Sequence, residues 1–598
     1  MKNKNILSIL IIIVLVIILA IMIKFAIFSD DNSNTGFTNN NKTSSTSTDS
    51  NTVDPIETST DIELADITSE EYKDFDATVN LTDLSVDGSG VSISNDTITI
   101  NKEGTYYFSG KLSDGNIVVN AEKSKVVLVF ENAEITSSKT AVINVVKAKN
   151  VTINLVEGST NVFTDSSNYT DFTDEDEPNS TIFSKSDLYI IGSGTLKINA
   201  NYNNAIKSKD TLAIVDATLE NTAKDHGIIG KDFGSIKNAK ITINANGDGI
   251  KSTNDEDEKL GYIIIDGSKL NITSEEDGIQ AETIVNITNS EITIKTTGEI
   301  AAKTNEMFKN KTTTTETDST SSKGIKAGKE ITINSGNITI TSTDDSIHSN
   351  GYVIINDGKF EISSGDDAIH ADNNILINNG TINITKSYEG IESNYIKINN
   401  GKISVIASDD GINVSGGNSE GMMGEGTSGT VADNARQLII NGGTIYVKAQ
   451  GDGLDANGSI VINGGDITVV GTTSNGNGAL DYDQKCNVNG GTIIVYGATG
   501  MWQNPSTSSA QYTICFGTSG NSGDKIILKD SNGNEIVNFE AENSYGAITI
   551  STPELKKGET YTLYVNQAEK STQELTSIVT SNLTTGGMQG GMQGGRGR

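Results

Sequence analysis

Between residues 206 and 480 the chain keeps returning to one position. Ile206, Ile228, Ile250, Ile279, Ile325, Ile347, Ile369, Ile391, Ile412, Leu454 and Leu480 form a column, and six of the ten steps are 21 or 22 residues. A fixed period of this size marks a solenoid, in which one short unit stacks on the next. The longer steps hold insertions such as NEMFKNKTTTTETDSTSS before Ile325 and GGNSEGMMGEGTSGTVADNAR after Ile412, which belong on loops between coils. Within each period lie alternating runs such as YVIIND, KFEISS, ILINNG and TINITK, separated by Asn-Gly, Asp-Gly or Gly-Gly. Such runs are strands broken by turns.

About three strands in a period of this length match one coil of a parallel β-helix, with the Ile column filling its interior. An antiparallel sandwich or propeller is the alternative, but a propeller blade needs about forty residues. The predicted class is therefore all-β, with a parallel β-helix over 76–500. The closing region GDKIILKDSNGNEIVNFEAENSYGAITISTPELKKGETYTLYVN departs from the period. It predicts a small β cap over 501–570 that covers the open edge of the last coil.

Ahead of the helix, Lys2 and Lys4 precede an apolar run, 6–23, that is interrupted only by Ser8. Its length suffices to cross a membrane, and the preceding positive charge favours a cytoplasmic N-terminus. Residues 1–28 are expected to be a single-pass transmembrane signal anchor at the cell membrane, with an extracellular remainder. A cleaved secretory signal is the alternative. The stretch 29–75, rich in Ser, Thr, Asn and Asp, reads as a disordered tether, and 571–598 as a Gly/Met/Gln-rich tail. Cys486 and Cys515 form either a disulfide or two buried thiols, because spacing does not decide.

The net charge is -33, from 77 acidic and 44 basic residues, which disfavours unaided binding to nucleic acid. The acids are not scattered. Two places before the column stand Asp248, Asp277, Asp345, Asp367, Glu389, Asp410 and Asp452, and one place earlier Asp225, Glu276, Asp344, Asp366 and Asp409. Equivalent residues of stacked coils lie about 4.8 Å apart, and two like charges near 5 Å repel by roughly 3 kcal/mol at an effective dielectric of 20. A hard divalent cation with oxygen ligands would offset this, and Asn350, Asp372 and Asn394 add oxygens nearby; calcium is the expected ion. Turn capping by Asp is the competing explanation.

One place after the column, strand alternation sends Lys207, Lys251, Gln280, Lys326, His348, His370, Glu392, Asn413, Asp455 and Asp481 outward. This polar row could hold an extended polysaccharide, with Lys207, Lys251, Lys326, His348 and His370 meeting sugar carboxylates and calcium bridging to them. A merely solvated face is the bland alternative. Trp502, the single tryptophan, could stack on a sugar or fill a core or cap.

The segments GTYYFSGKLSDGNIVVNAE, NVTINLVEGSTNVFTD, DEPNSTIFSKSDLYIIGSGTLKINANYNNAIKSKD, NGDGIKSTNDEDEKLGYIIIDGSKLNI and EEDGIQAET resemble the clostridial carbohydrate-binding domain proteins, over roughly 76–566. The resemblance implies a right-handed parallel β-helix similar to pectate lyases, exported to the bacterial surface. It further implies calcium binding and recognition of cellulose and acidic pectic sugars, with Asp248 and Asp277 as ion or sugar contacts. His226 and Lys323 stand where other coils carry an acid and interrupt the ladder. A lyase would need a base; the usual arginine is missing, since Arg436 lies in an insertion, which leaves only a lysine such as Lys207, Lys251 or Lys326. The expected function is non-catalytic carbohydrate binding by a monomer, preferring acidic polysaccharide of plant cell-wall type, with a lyase or a structural adhesin as alternatives.

Overall fold

The computed structural model describes residues 67–172, 177–299, 321–415 and 436–583, and among them every regular element is a β-strand. The expected transmembrane segment, most of the tether, most of both insertions and the end of the tail lie outside the described residues. Among the described residues no helix is long and apolar enough to cross a membrane.

Most coils supply three strands, which define three faces; in two coils one continuous strand, Ile369–Ile377 or Ile391–Ile398, covers the first two faces. One coil runs from a short strand at Ile250–Ser252 through Tyr262–Asp266 to Lys269–Ser274. Each strand pairs in parallel with its counterpart one coil later, at Ile279–Ala281, Ile284–Thr288 and Ser290–Thr296. Pairing with the third strand along, repeated through the chain, is the connectivity of a parallel β-helix.

Every step of the expected column is a register pair, from Ile206 opposite Ile228 to Leu454 opposite Leu480. None of these side chains is more than 2% exposed. The column also extends upstream through Ile182, Ile143, Ile117 and Ile98, which pair in the same way. The residue before the column is small for a steric reason. A Cβ on Gly249 would sit 2.4 Å from Ile272 Cγ2 and 2.5 Å from the Gly278 carbonyl oxygen of the next coil.

A second ladder runs along the turn that follows the second face. The Asn334 amide donates to Asn286 Oδ1, and Asn356, Asn378, Asn399, Asn441, Asn463 and Asn489 each donate to the preceding asparagine at 2.7–2.9 Å. The repeated Ile-Asn-Asn-Gly and Ile-Asn-Gly-Gly motifs encode it. Gly380, Gly401, Gly443, Gly465 and Gly491 then turn the chain with positive φ.

Both ends are closed. Two antiparallel hairpins, Ala77–Asn80 with Ser85–Gly88 and Val91–Ser94 with Thr97–Ile100, cover the first coil. At the other end Tyr545–Ser551 pairs antiparallel with Thr492–Gly497 of the last coil, and Thr513–Gly520 lies beside it. A separate four-stranded antiparallel sheet completes the cap. The cap runs past residue 570, since Ala568–Glu574 and Val579–Ser581 are strands within it. Cys486 and Cys515 are free, buried thiols, and burial pushes Cys486 up to about 12.

Candidate functional site

The acidic ladder sits where the third face turns into the first, and its members are deeply set: Asp248 and Asp277 are 1% exposed, Asp345 4% and Asp367 6%. One oxygen of each ladder aspartate splices two coils. The Asp277 N–H donates to Asp248 Oδ1 at 2.9 Å, Lys323 N–H to Asp277 Oδ1 at 2.7 Å, Asp367 N–H to Asp345 Oδ1 at 3.0 Å and Asp452 N–H to Asp410 Oδ1 at 2.6 Å. The capping expected of Asp is present, but it acts between coils.

The second oxygen faces the polar row, and there the ladder divides into two halves. In the N-terminal half it meets a lysine or histidine of the chain itself. Lys251 Nζ lies 2.6 Å from Asp248 Oδ2, Lys326 Nζ 3.4 Å from Asp277 Oδ2, His348 Nδ1 2.8 Å from Asp345 Oδ2 and His370 Nδ1 3.2 Å from Asp367 Oδ2. Lys323, at a ladder position itself, reaches Asp344 at 2.9 Å and Asp345 at 2.7 Å. Burial alone would lower Lys251, yet the Asp248 carboxylate holds it above its ordinary value. Asp248, Asp277, Asp344 and Asp345 are thus neutralised largely from within the chain, and the row's cations face their own acids as well as solvent.

His348 and His370 are stacked, with ring centroids 4.9 Å apart and planes 10° from parallel. His348 Nε2 contacts Asn350 Oδ1 at 3.0 Å and His370 Nε2 contacts Asp372 Oδ1 at 3.2 Å. Burial disfavours a charged His370, but hydrogen bonds to Asp367 and Glu392 outweigh it and hold the imidazole up to about 11. Lys207 differs from the other row lysines. Its coil carries Asn204 in place of a ladder acid, and burial pushes its ammonium down. Ile229, 4% exposed, separates it from Lys251 in the row, so the polar face is less continuous than alternation predicts.

In the C-terminal half the cations stop. Glu389, Asp410 and Asp452 continue the ladder while Glu392, Asn413, Asp455 and Asp481 continue the row. Burial, then neighbouring carboxylates, pushes Glu389 up to about 9 and Asp410 and Asp455 each up to about 7. Ligand oxygens of Asp410, Asp452 and Asp455 all lie within 4.8 Å of one another, about twice the 2.4 Å of a calcium–oxygen bond. Asn413 adds an independent sign of a missing partner. It is 6% exposed; its Nδ2 donates back to Glu389 Oε2 at 2.9 Å, and its Oδ1, at the other end of the amide, is buried without a hydrogen-bond partner. Register places Asp455 on that forward side. An all-oxygen set with an unused carbonyl suits a hard cation.

Among the described residues three other groups of potential ligands converge: His226 with Asp248 and Glu276, Asp344 with Asp345 and Asp366, and Asp367 with His370 and Glu392. Each already touches Lys251, Lys323 or the His370 imidazole. Asp409 accepts from the Tyr388 hydroxyl. Trp502 is in the core: it is 8% exposed and its indole N–H donates to Asn504 Oδ1 at 3.1 Å, so it offers no platform to a sugar. Asp455 was legible only as a row residue, and nothing in the repeat marked Asn413 as buried.

Fold and site together define a surface-lined β solenoid with one face of stacked carboxylates, split into cation-paired and cation-free halves. The family model described as "Carbohydrate-binding domain-containing protein" matches residues 94–368 and 367–528. The chain belongs to this family. A protein of Acetivibrio thermocellus with the same description is 36% identical over 212 residues, covering 35% of this chain and 74% of the relative. The solved gadolinium derivative of the polysaccharide lyase-like protein from C. thermocellum is similar at 33% identity and a TM-score of 0.36, covering 37% of this chain and 91% of that one.

Proposed function

We propose that the protein is a non-catalytic, calcium-dependent carbohydrate-binding protein of the bacterial cell surface, taking an acidic, pectic-type polysaccharide along the row that follows the column. The carrying observation is the division of that row. Lys251, Lys326, His348 and His370 offer donors to sugar carboxylates, and Asp410, Asp452, Asp455 and Asn413 form an oxygen cluster suited to calcium. A calcium ion bound there supplies positive charge that can bridge protein and sugar carboxylates. The predicted N-terminal anchor would hold the solenoid outside the cell. Right-handed winding follows from the general handedness of parallel crossover connections.

A lyase reading is favoured by the surroundings of Lys207: its coil carries Asn204 in place of a ladder acid, and burial lowers its ammonium, the direction a general base requires. Titrating polygalacturonate into the protein with calcium or with a chelator, while following absorbance of unsaturated product, separates the readings. Calcium-dependent binding without product supports the binding module. Product formation would replace it with a lyase, and no binding in either condition would leave a structural adhesin.

A further inference from the structure

The coil that carries His370 and Tyr388 is irregular, and its irregularity is local. Between Asn204 and Tyr482 the parallel register shifts at two places, at Ile362/Ser363 opposite Lys386 and at Ala371/Asn374. One lies just before Tyr388, and the other just after His370. Bulges re-aim side chains and recur beside functional sites.

Tyr388 occupies the first-acid position, where neighbouring coils place Asp366 and Asp409. Its N–H donates to the Asp366 carbonyl at 2.8 Å, and its own carbonyl accepts from Asp409 N–H at 2.9 Å. The side chain is 39% exposed, one of only five large apolar or aromatic side chains that stand out among the described residues. Ile406, 44% exposed, is another of the five, and its carbonyl accepts from Ser387 Oγ at 3.3 Å, beside Tyr388. The Tyr388 hydroxyl bonds the Asp409 carboxylate, which fixes the ring's orientation. This ring therefore stands, oriented in advance, where the cation-bearing coils ending at His370 give way to the oxygen cluster of Asp410, Asp452 and Asp455.

We infer that Tyr388 is the stacking platform of a central sugar subsite, seating the face of a uronate pyranose between the row's cations and its acidic half. The inference rests on the binding function proposed above. Sugar rings present C–H faces to aromatic side chains, and an aromatic held in place binds at little entropic cost. With Trp502 buried, Tyr388 is an exposed aromatic beside this row, on the first-acid column that flanks the ladder. It fixes register: sugars to one side reach His370, His348 and Lys326, and sugars to the other side reach the cation-holding acids.

The test measures calorimetric affinity for oligogalacturonate with calcium present, for the wild-type chain, Tyr388→Ala and Tyr388→Phe. Tyr388→Ala should lose about tenfold in affinity, whereas Tyr388→Phe, which keeps the ring, should stay within about threefold. Calcium binding measured without sugar, and thermal unfolding, should be unchanged in both variants. Equal affinity of wild type and Tyr388→Ala would overturn the subsite and leave the binding function standing. Absence of oligogalacturonate binding by the wild-type chain would overturn both. Equal loss in Tyr388→Phe and Tyr388→Ala would assign the effect to the hydroxyl bond with Asp409 and refute stacking.

Discussion

Replacing Asp455 by Asn should stabilise the calcium-free protein at alkaline pH and remove most of its response to calcium. Three carboxylates within 4.8 Å repel pairwise by about 3.5 kcal/mol at an effective dielectric of 20. Rather than bear two such interactions, Asp455 keeps its proton: burial and the charges of Asp410 and Asp452 raise it from 3.8 to about 7. A carboxyl raised on folding costs stability once it ionises, so the penalty grows as pH climbs from about 4 to about 7 and is complete above that. Three pH units correspond to about 4 kcal/mol, which solvent screening reduces to about 2 kcal/mol. Asp455→Asn should therefore gain about 2 kcal/mol at pH 8 in chelator and almost nothing near pH 4. Calcium at a hundred times its dissociation constant should stabilise the wild type by about 2.7 kcal/mol, with little effect on the variant. Urea unfolding at both pH values, with hydrogen exchange at the Leu454–Ala456 amides for the local response, measures this. A variant that is less stable than wild type in chelator at pH 8, with an undiminished calcium response, would refute the reasoning.

Asp248→Ala should cost about 3–5 kcal/mol in thermal or urea unfolding, because it strands both the Lys251 ammonium and the Asp277 N–H. Asp248→Asn, which keeps an acceptor for that N–H, should cost less. Asn399→Ala interrupts the amide ladder at both its Asn378 and Asn441 bonds and should lower unfolding stability by about 1–3 kcal/mol. Trp502→Phe should shift the melting midpoint while leaving polygalacturonate affinity unchanged, as a core residue would.

The stack was legible because its interior position recurs at a nearly fixed period, and Ile206 through Leu480 fall into register as the spacing predicts. Its first coils were hidden: the steps joining Ile98, Ile117, Ile143 and Ile182 are uneven. The cap was visible as a change of pattern, but its last strands lie in residues that composition assigned to the tail. The site was legible as two rows and not as pairs. Strand alternation puts residues three apart on opposite sides, yet Asp248 and Lys251, or Asp345 and His348, meet because a turn intervenes between them. Alternation also gives a direction without a depth. Asn413 stands on the outward row but is buried, and Asp455 was read as a solvent-facing residue when its oxygens converge with those of Asp410 and Asp452. Nothing in the repeat marked Tyr388: its exposure and the bulge beside it belong to the folded coil.

The most direct measurement is anomalous diffraction from crystals of the solenoid grown with calcium. The account predicts a peak at the last cation-free coils, about 2.3–2.6 Å from carboxylate oxygens of Asp410, Asp452 and Asp455 and within reach of Asn413 Oδ1. A map without density there at saturating calcium, with those side chains turned apart into solvent, would contradict it.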